Sequence, residues 1–215
     1  MAPALPDGAV PWLHDFARWL GTWLYRPVFR IRIHGRERIP ATGPVVLVAN
    51  HSSFIEPQML FGLVGRRAVF LVKAELGRGI LGRLLRWLGQ LHIRRGEPDR
   101  GPLMAAVQFL REGGLVGVFP EGRRGSGDVL QAERGAAWLV RTTGAVVLPV
   151  ATRGTARPPG TGRRFRPEVD VLVGPPFALS VQRGRSGLVA GTEEIRTRLA
   201  DLVREVDELR VRLQT

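Results

Sequence analysis

The chain has 215 residues, 44% of them apolar, which suits one sizeable core and falls short of two. It contains no cysteine, which excludes disulfides, thiolate metal sites and a cysteine nucleophile. Net charge is +13, carried almost wholly by arginine because Lys73 is the only lysine. Codon preference accounts for such an excess as readily as function does, but either way the surface attracts phosphate esters, nucleic acid or an anionic bilayer.

No run approaches the ~20 apolar residues of a spanning helix, and the first residues lack the basic start and apolar block of a signal peptide. After a loose tail over residues 1–9, Trp12, Leu13, Phe16, Trp19, Leu20, Trp23 and Leu24 recur at helical spacing. Pro11 suits the start of this helix, and Pro27 ends the run. Three of the five tryptophans share one stripe, which fits either a membrane headgroup zone or packing on the domain. A first unit is therefore expected over residues 1–27, and one domain over 28–215.

Residues 28–39 predict a strand. Val45–Ala49 is uniformly apolar, the mark of a strand buried on both faces. A helix is expected over 57–64 and a second buried strand at Ala68–Val72. A further helix over 79–88 has Ile80, Leu81, Leu84, Leu85 and Leu88 expected inward, with Arg83 and Arg86 outward. Then come a short strand at 91–94, a helix at 102–111, a buried strand at 115–119, a helix at 131–142 and a strand at 145–151. Residues 154–167 predict a surface loop, and 168–173 a late strand whose alternation is less clean. In a C-terminal helix over 192–213, Ile195, Leu199, Leu202, Val206, Leu209 and Leu213 form a heptad stripe, read as packing on the domain or as a dimer seam. Strands alternating with helices predict an α/β fold: a single domain with a mainly parallel central sheet flanked by helices, preceded by an amphipathic N-terminal helix.

Ligands of parallel α/β sheets bind beyond the carboxyl ends of strands. His51 follows Val45–Ala49 directly, and Glu56 lies five residues on. A carboxylate on one imidazole nitrogen fixes the tautomer and makes the other nitrogen a better base. Glu121, Gly122, Arg123 and Arg124 follow the strand over 115–119; Gly122 permits close backbone approach, and the arginines offer forked donors to phosphate. Lys73 and Arg95 follow two further strands. A parallel sheet would bring His51, Lys73, Arg95 and Arg124 to one rim.

Other motifs carry less. Gly77–Gly82 matches the G-x-G-x-x-G spacing, but it stands away from the preceding strand and no acid follows to hold a ribose. The lone lysine lies outside any P-loop pattern, no G-x-S-x-G elbow occurs, and four scattered histidines give no zinc spacing.

Four ordered blocks resemble the glycerolipid acyltransferase family typified by 1-acylglycerol-3-phosphate acyltransferase. His51-Ser52-Ser53-Phe54-Ile55-Glu56 resembles its His-x4-Asp block, and Gly89–Arg95 its G-x-x-F-I-D-R block. Phe119–Gly125 resembles F-P-E-G-T-R-S, and Leu148–Ala151 the V-P-V-A strand; Lys73–Leu76 looks like a K-x-E-L segment. The likeness spans about residues 30–175. Glu56 stands where Asp is usual, Arg123 replaces Thr, Gly125 replaces Ser, and Arg94 replaces an acid.

The resemblance implies transfer of an acyl chain from an acyl-CoA or acyl carrier protein thioester to a lysophospholipid hydroxyl. His51 would be general base and Glu56 its orienting partner. Lys73, Arg95, Glu121, Gly122 and Arg124 would shape the acceptor site, with no metal or bound cofactor. It also implies peripheral attachment to the cytoplasmic face of a membrane. Two rivals are an acyltransferase for another lipid acceptor and a non-catalytic basic protein binding lipid or nucleic acid. Aromatic residues are sparse beyond the N-terminal helix, so no stacking platform for a specific nucleic acid is expected.

Overall fold

A computed structural model describes residues 2–94, 100–156 and 165–213. Its centre is a seven-stranded sheet of β1 (Arg30–His34), β2 (Val45–Ala49), β3 (Ala68–Lys73), β4 (Leu91–Ile93), β5 (Leu115–Val118), β6 (Val146–Arg153) and β7 (Glu168–Val173), ordered β1-β7-β6-β2-β5-β3-β4. All neighbouring pairs are parallel except β6 with β7. The sheet is thus mainly parallel, as predicted. The uniformly apolar β2 lies between β5 and β6 with every residue buried. One face of it feeds a core with Val46 and Val48; the other feeds a second core with Val45, Leu47 and Ala49.

The helices are α1 (Pro11–Leu24), α2 (Glu56–Leu63), α3 (Gly79–Trp87), α4 (Arg100–Arg111), α5 (Gly135–Thr143) and α6 (Gly184–Arg212). Helix α6 begins two turns before the predicted start. Ile195, Leu199, Leu202 and Val206 enter the core, so the heptad stripe packs on the domain, while Leu213 at its end is exposed. The strand expected over 28–39 is shorter: Gly35 adopts φ +74 and turns the chain into a 3₁₀ turn at Arg36–Arg38.

Helix α1 is fastened to the domain rather than trailing from it. A Cβ on Gly62 of α2 would meet the Gly21 carbonyl carbon at 2.4 Å, so the two backbones touch where both residues are glycine. Thr22 Oγ1 donates to Gly62 O at 3.0 Å, and Arg67 forks onto Asp15 at 3.1 and 2.7 Å. His14 is fully buried, donates from Nδ1 to Leu88 O at 2.8 Å, and meets Phe61 edge-on at 4.9 Å. Burial lowers the His14 pKa below the ordinary histidine value.

One expectation fails here. Ile80, Leu81 and Leu84 of α3 are exposed, not inward, while Leu85 and Leu88 are half-buried. The helix packs instead through Gly82, where a Cβ would meet the Gly77 carbonyl carbon at 2.0 Å. The glycines of the G-x-G-x-x-G run therefore serve a tight turn into α3.

The uneven alternation of β7 has a cause in Asp170, a carboxylate with no exposed surface. It accepts from Arg32 Nε at 2.7 Å and Arg210 at 2.6 Å, with His34 Nε2 at 3.3 Å, tying β1 and α6 to β7. Burial alone would raise its pKa, but the hydrogen bonds from Arg32 and His34 and the charges of Arg32 and Arg210 outweigh that and hold it below the usual carboxylate value. A depressed folded pKa means that this stabilisation is complete above the unfolded value, about 3.9, and is lost as pH falls through the folded one. Asp170→Asn is expected to cost about 3 kcal/mol at neutral pH, because Arg32 and Arg210 lose the buried negative charge between them. The gap to wild type should close below about pH 4. Urea titrations across pH check this; parallel stability curves for the two proteins would remove Asp170 from the acid transition.

Candidate active site

The carboxyl ends of β2, β3, β4, β5 and β6 share one edge of the sheet. Asn50, the first residue beyond β2, is fully buried and closes that edge. Its Oδ1 accepts from Thr152 N at 2.7 Å and Thr152 Oγ1 at 3.2 Å, and its Nδ2 donates to Thr152 O at 3.0 Å and Gly127 O at 3.1 Å. Every polar position of the amide is used, as burial requires. The next residue, His51, is thereby held at the rim, its side chain 14% exposed and its ring 4.5 Å from that of Phe119.

Glu56 opens α2 with no exposed surface, 3.0 Å through Oε2 from His51 Nδ1. Its remaining capacity is filled by Ser52 N at 2.9 Å, Ser52 Oγ at 2.6 Å and Thr155 Oγ1 at 2.6 Å. Burial acts to raise the Glu56 pKa, but the donors His51, Ser52, Thr155 and the Ser53 N–H prevail and hold it below the usual value. An ionised carboxylate only accepts, so Nδ1 carries the proton and Nε2 presents its lone pair away from the pair. That arrangement can accept a proton from a hydroxyl placed at Nε2.

The loop after β5 is laced to the His51 loop. Glu121 Oε1 accepts from the His51 N–H at 2.6 Å, and Gly125 N donates to His51 O at 3.0 Å. The carboxyl also takes the Val129 N–H; burial and the charge of Glu56 raise its pKa, and the two backbone donors offset part of that rise. To offer that N–H, Val129 sits at φ 55, a left-handed conformation that costs a β-branched residue on the order of 1–3 kcal/mol. Gly127 has φ +75, and a Cβ there would meet Asn50 Nδ2 at 2.9 Å. Gly122, at φ +69, turns the loop just after Glu121.

Of the expected cations, Arg124 lies exposed with its guanidinium 5.7 Å from the centre of the Phe54 ring, on the lip beside His51. Lys73 ends β3 on the same edge and pairs with Glu75 at 2.8 Å. Arg95 lies outside the described residues. His51 and Glu56 are brought together, and Glu121 joins them from the far loop. Glu121, expected to shape the acceptor site, turns its Oε1 to the His51 backbone. Ser52 and Thr155 were missed. Ser52 lay inside the quoted block, but Thr155 stands 99 residues from Glu56 in the chain, and a hydroxyl in a loop gives no pattern of its own.

A family model described as Acyltransferase matches residues 30–153. A Bacillus subtilis protein named 1-acyl-sn-glycerol-3-phosphate acyltransferase is 26% identical over 83% of this chain and 91% of its own length. A Chlamydomonas reinhardtii protein of the same name is 32% identical over 68% of this chain but only 46% of its own. The crystal structure of the 1-acyl-sn-glycerophosphate acyltransferase PlsC from Thermotoga maritima superposes with a TM-score of 0.66 at 27% identity, covering 93% of this chain and 79% of that one. The matched span contains β1 to β6 and both interlaced loops. The chain thus belongs to the acyltransferase family and is an acyltransferase.

Proposed function

We propose that the protein moves a fatty acyl chain from an acyl-CoA or acyl carrier protein thioester to the free hydroxyl of 1-acylglycerol-3-phosphate, giving phosphatidic acid, with His51 as general base. The observation that carries this reading is the His51–Glu56 pair, a base whose partner carboxylate is saturated by donors. The names of the relatives supply the acceptor class.

The acceptor hydroxyl gives its proton to His51 Nε2 while its oxygen forms a bond to the thioester carbonyl carbon. Glu56 stabilises the resulting imidazolium. The tetrahedral oxyanion collapses, the C–S bond breaks, and the thiolate takes the proton back to leave as a thiol. No acyl-enzyme, metal or bound cofactor takes part. Glu121 and Gly122 hold the loop that supports His51. Arg124, Lys73 and Arg95 supply positive charge for the acceptor phosphate.

Among the described residues no helix is long and apolar enough to cross a membrane. Trp12, Phe16, Trp19 and Trp23 of α1 are exposed on one stripe, and we assign this stripe to the surface of the bilayer that holds the acceptor, on its cytoplasmic face.

Mass spectrometry of lipids after incubation with a long-chain acyl-CoA and a panel of lysolipids tests the reaction. Phosphatidic acid is the expected product; acylation of a different lysolipid alone would replace the acceptor but keep the chemistry. His51→Ala is expected to lose about 100- to 10,000-fold in turnover while keeping its fold, and turnover near wild type would sink the base assignment.

The carboxylate cage makes a separate prediction. Thr155→Val should lower kcat by about tenfold or more with KM little changed, and Thr155→Ser should recover most of it. Glu56→Asp should also be slower than wild type, because its carboxylate is withdrawn from Ser52 and Thr155. Steady-state kinetics check both; a faster Glu56→Asp enzyme would mean that the donors are not placed for glutamate.

A further inference from the structure

Helix α3 leaves its apolar residues to solvent. Ile80 is 87% exposed, and Leu81, Leu84 and Trp87 are 46%, 41% and 44% exposed. At helical periodicity Ile80, Leu84 and Trp87 lie opposite Gly82, the residue through which the helix seats on its own connection. The apolar face therefore points outward by construction. Arg83 is exposed at its border, and Arg78 and Arg86, four residues to either side of Gly82, are exposed on the opposite side of the helix.

The position of this face is informative. Helix α3 leaves the edge of the sheet that carries His51, since it follows the carboxyl end of β3 through a 3₁₀ turn at Ala74–Gly77. Its other end meets α1: Val10 N donates to Trp87 O at 2.8 Å, and His14 Nδ1 to Leu88 O at 2.8 Å. Trp87 thus adjoins the start of α1, where Trp12 is 70% exposed. Two helices with exposed apolar faces are thus fixed to each other end to end by these bonds, α3 leading from the start of α1 back to the catalytic edge.

We propose that α3 is a second membrane-contacting helix, with Ile80, Leu81, Leu84 and Trp87 entering the headgroup–acyl boundary of an anionic bilayer beside α1. The proposal rests on the reading of the protein as an acyltransferase for a bilayer-borne lysophospholipid, and it names α3 as the part of the contact nearest the site. Charge selects the occupant. Arg83 at the border of the face, with the chain's net charge of +13, complements anionic headgroups, whereas a second copy seated two-fold on this face would set like charges against each other.

The test uses the full chain and flotation with phosphatidylcholine vesicles, with and without phosphatidylglycerol. The double variant Ile80→Ser/Leu84→Ser should partition at least tenfold more weakly into the anionic vesicles while its circular dichroism is unchanged. Arg83→Gln should weaken binding to the anionic vesicles and leave the neutral ones unaffected. On a water-soluble short-chain acceptor the serine variant should keep wild-type turnover, and on a vesicle-borne acceptor it should lose activity along with binding. Unchanged flotation overturns the proposal. So does a concentration-dependent dimer that the serine variant abolishes without altering flotation, which would assign the face to a second copy. Wild type that floats but acylates no lysolipid would overturn the functional reading, while the serine variant's flotation still decides the role of α3.

Discussion

A carboxylate without exposed surface keeps its charge only if donors replace the water it has lost. Glu56 obtains them from three places: the imidazole of His51, the backbone and hydroxyl of Ser52, and the hydroxyl of Thr155 beyond β6. His51 and Ser52 follow β2 and Thr155 follows β6, so the full set of donors assembles only when these two parallel strands have paired. The chemistry of the site and the register of the sheet are in this sense one condition. Asn50 enforces it from below, joining the exits of β2 and β6 and the loop after β5 through a single amide.

The same edge concentrates irregular backbone. Val129 is held in a left-handed conformation next to Glu121, and Gly127 passes Asn50 closely enough to leave no room for a side chain. Such conformations persist only where surrounding contacts over-determine them. Here those contacts are the Glu121 carboxylate, which takes the N–H groups of both Val129 and His51, and Arg196 of α6, which donates to Val129 O at 3.3 Å. Helix α6, remote from the chemistry in sequence, therefore helps to fix the loop that supports the base.

What could be read from the sequence follows from the kind of signal each feature leaves. Val45–Ala49 and Leu115–Val118 are continuous apolar runs, and such runs arise where both faces of a strand are covered, so they announced the central sheet directly. His51 and Glu56 were legible because they follow one such run at a spacing a helix start can fold back upon. Helix α3 was misread for a general reason: periodicity reports which face is apolar, not what covers it, and Gly82 reversed the expected seating. Thr155 was beyond reach, because its partner comes from a distant segment and only the closed sheet brings the two together. Asp170 looked like a flaw in an alternating strand until Arg32, His34 and Arg210 explained it.

The tryptophans have an uncommon distribution. Four of the five, Trp12, Trp19, Trp23 and Trp87, stand exposed on α1 and α3, while Trp138 is half-buried against the core. The indoles of most globular domains are more deeply buried on average, so their emission reddens and marks unfolding. In this protein the ultraviolet emission of the native state is dominated by rings already in water. Intrinsic fluorescence is consequently a poor gauge of whether the core is intact, and a sensitive gauge of what lies against its surface.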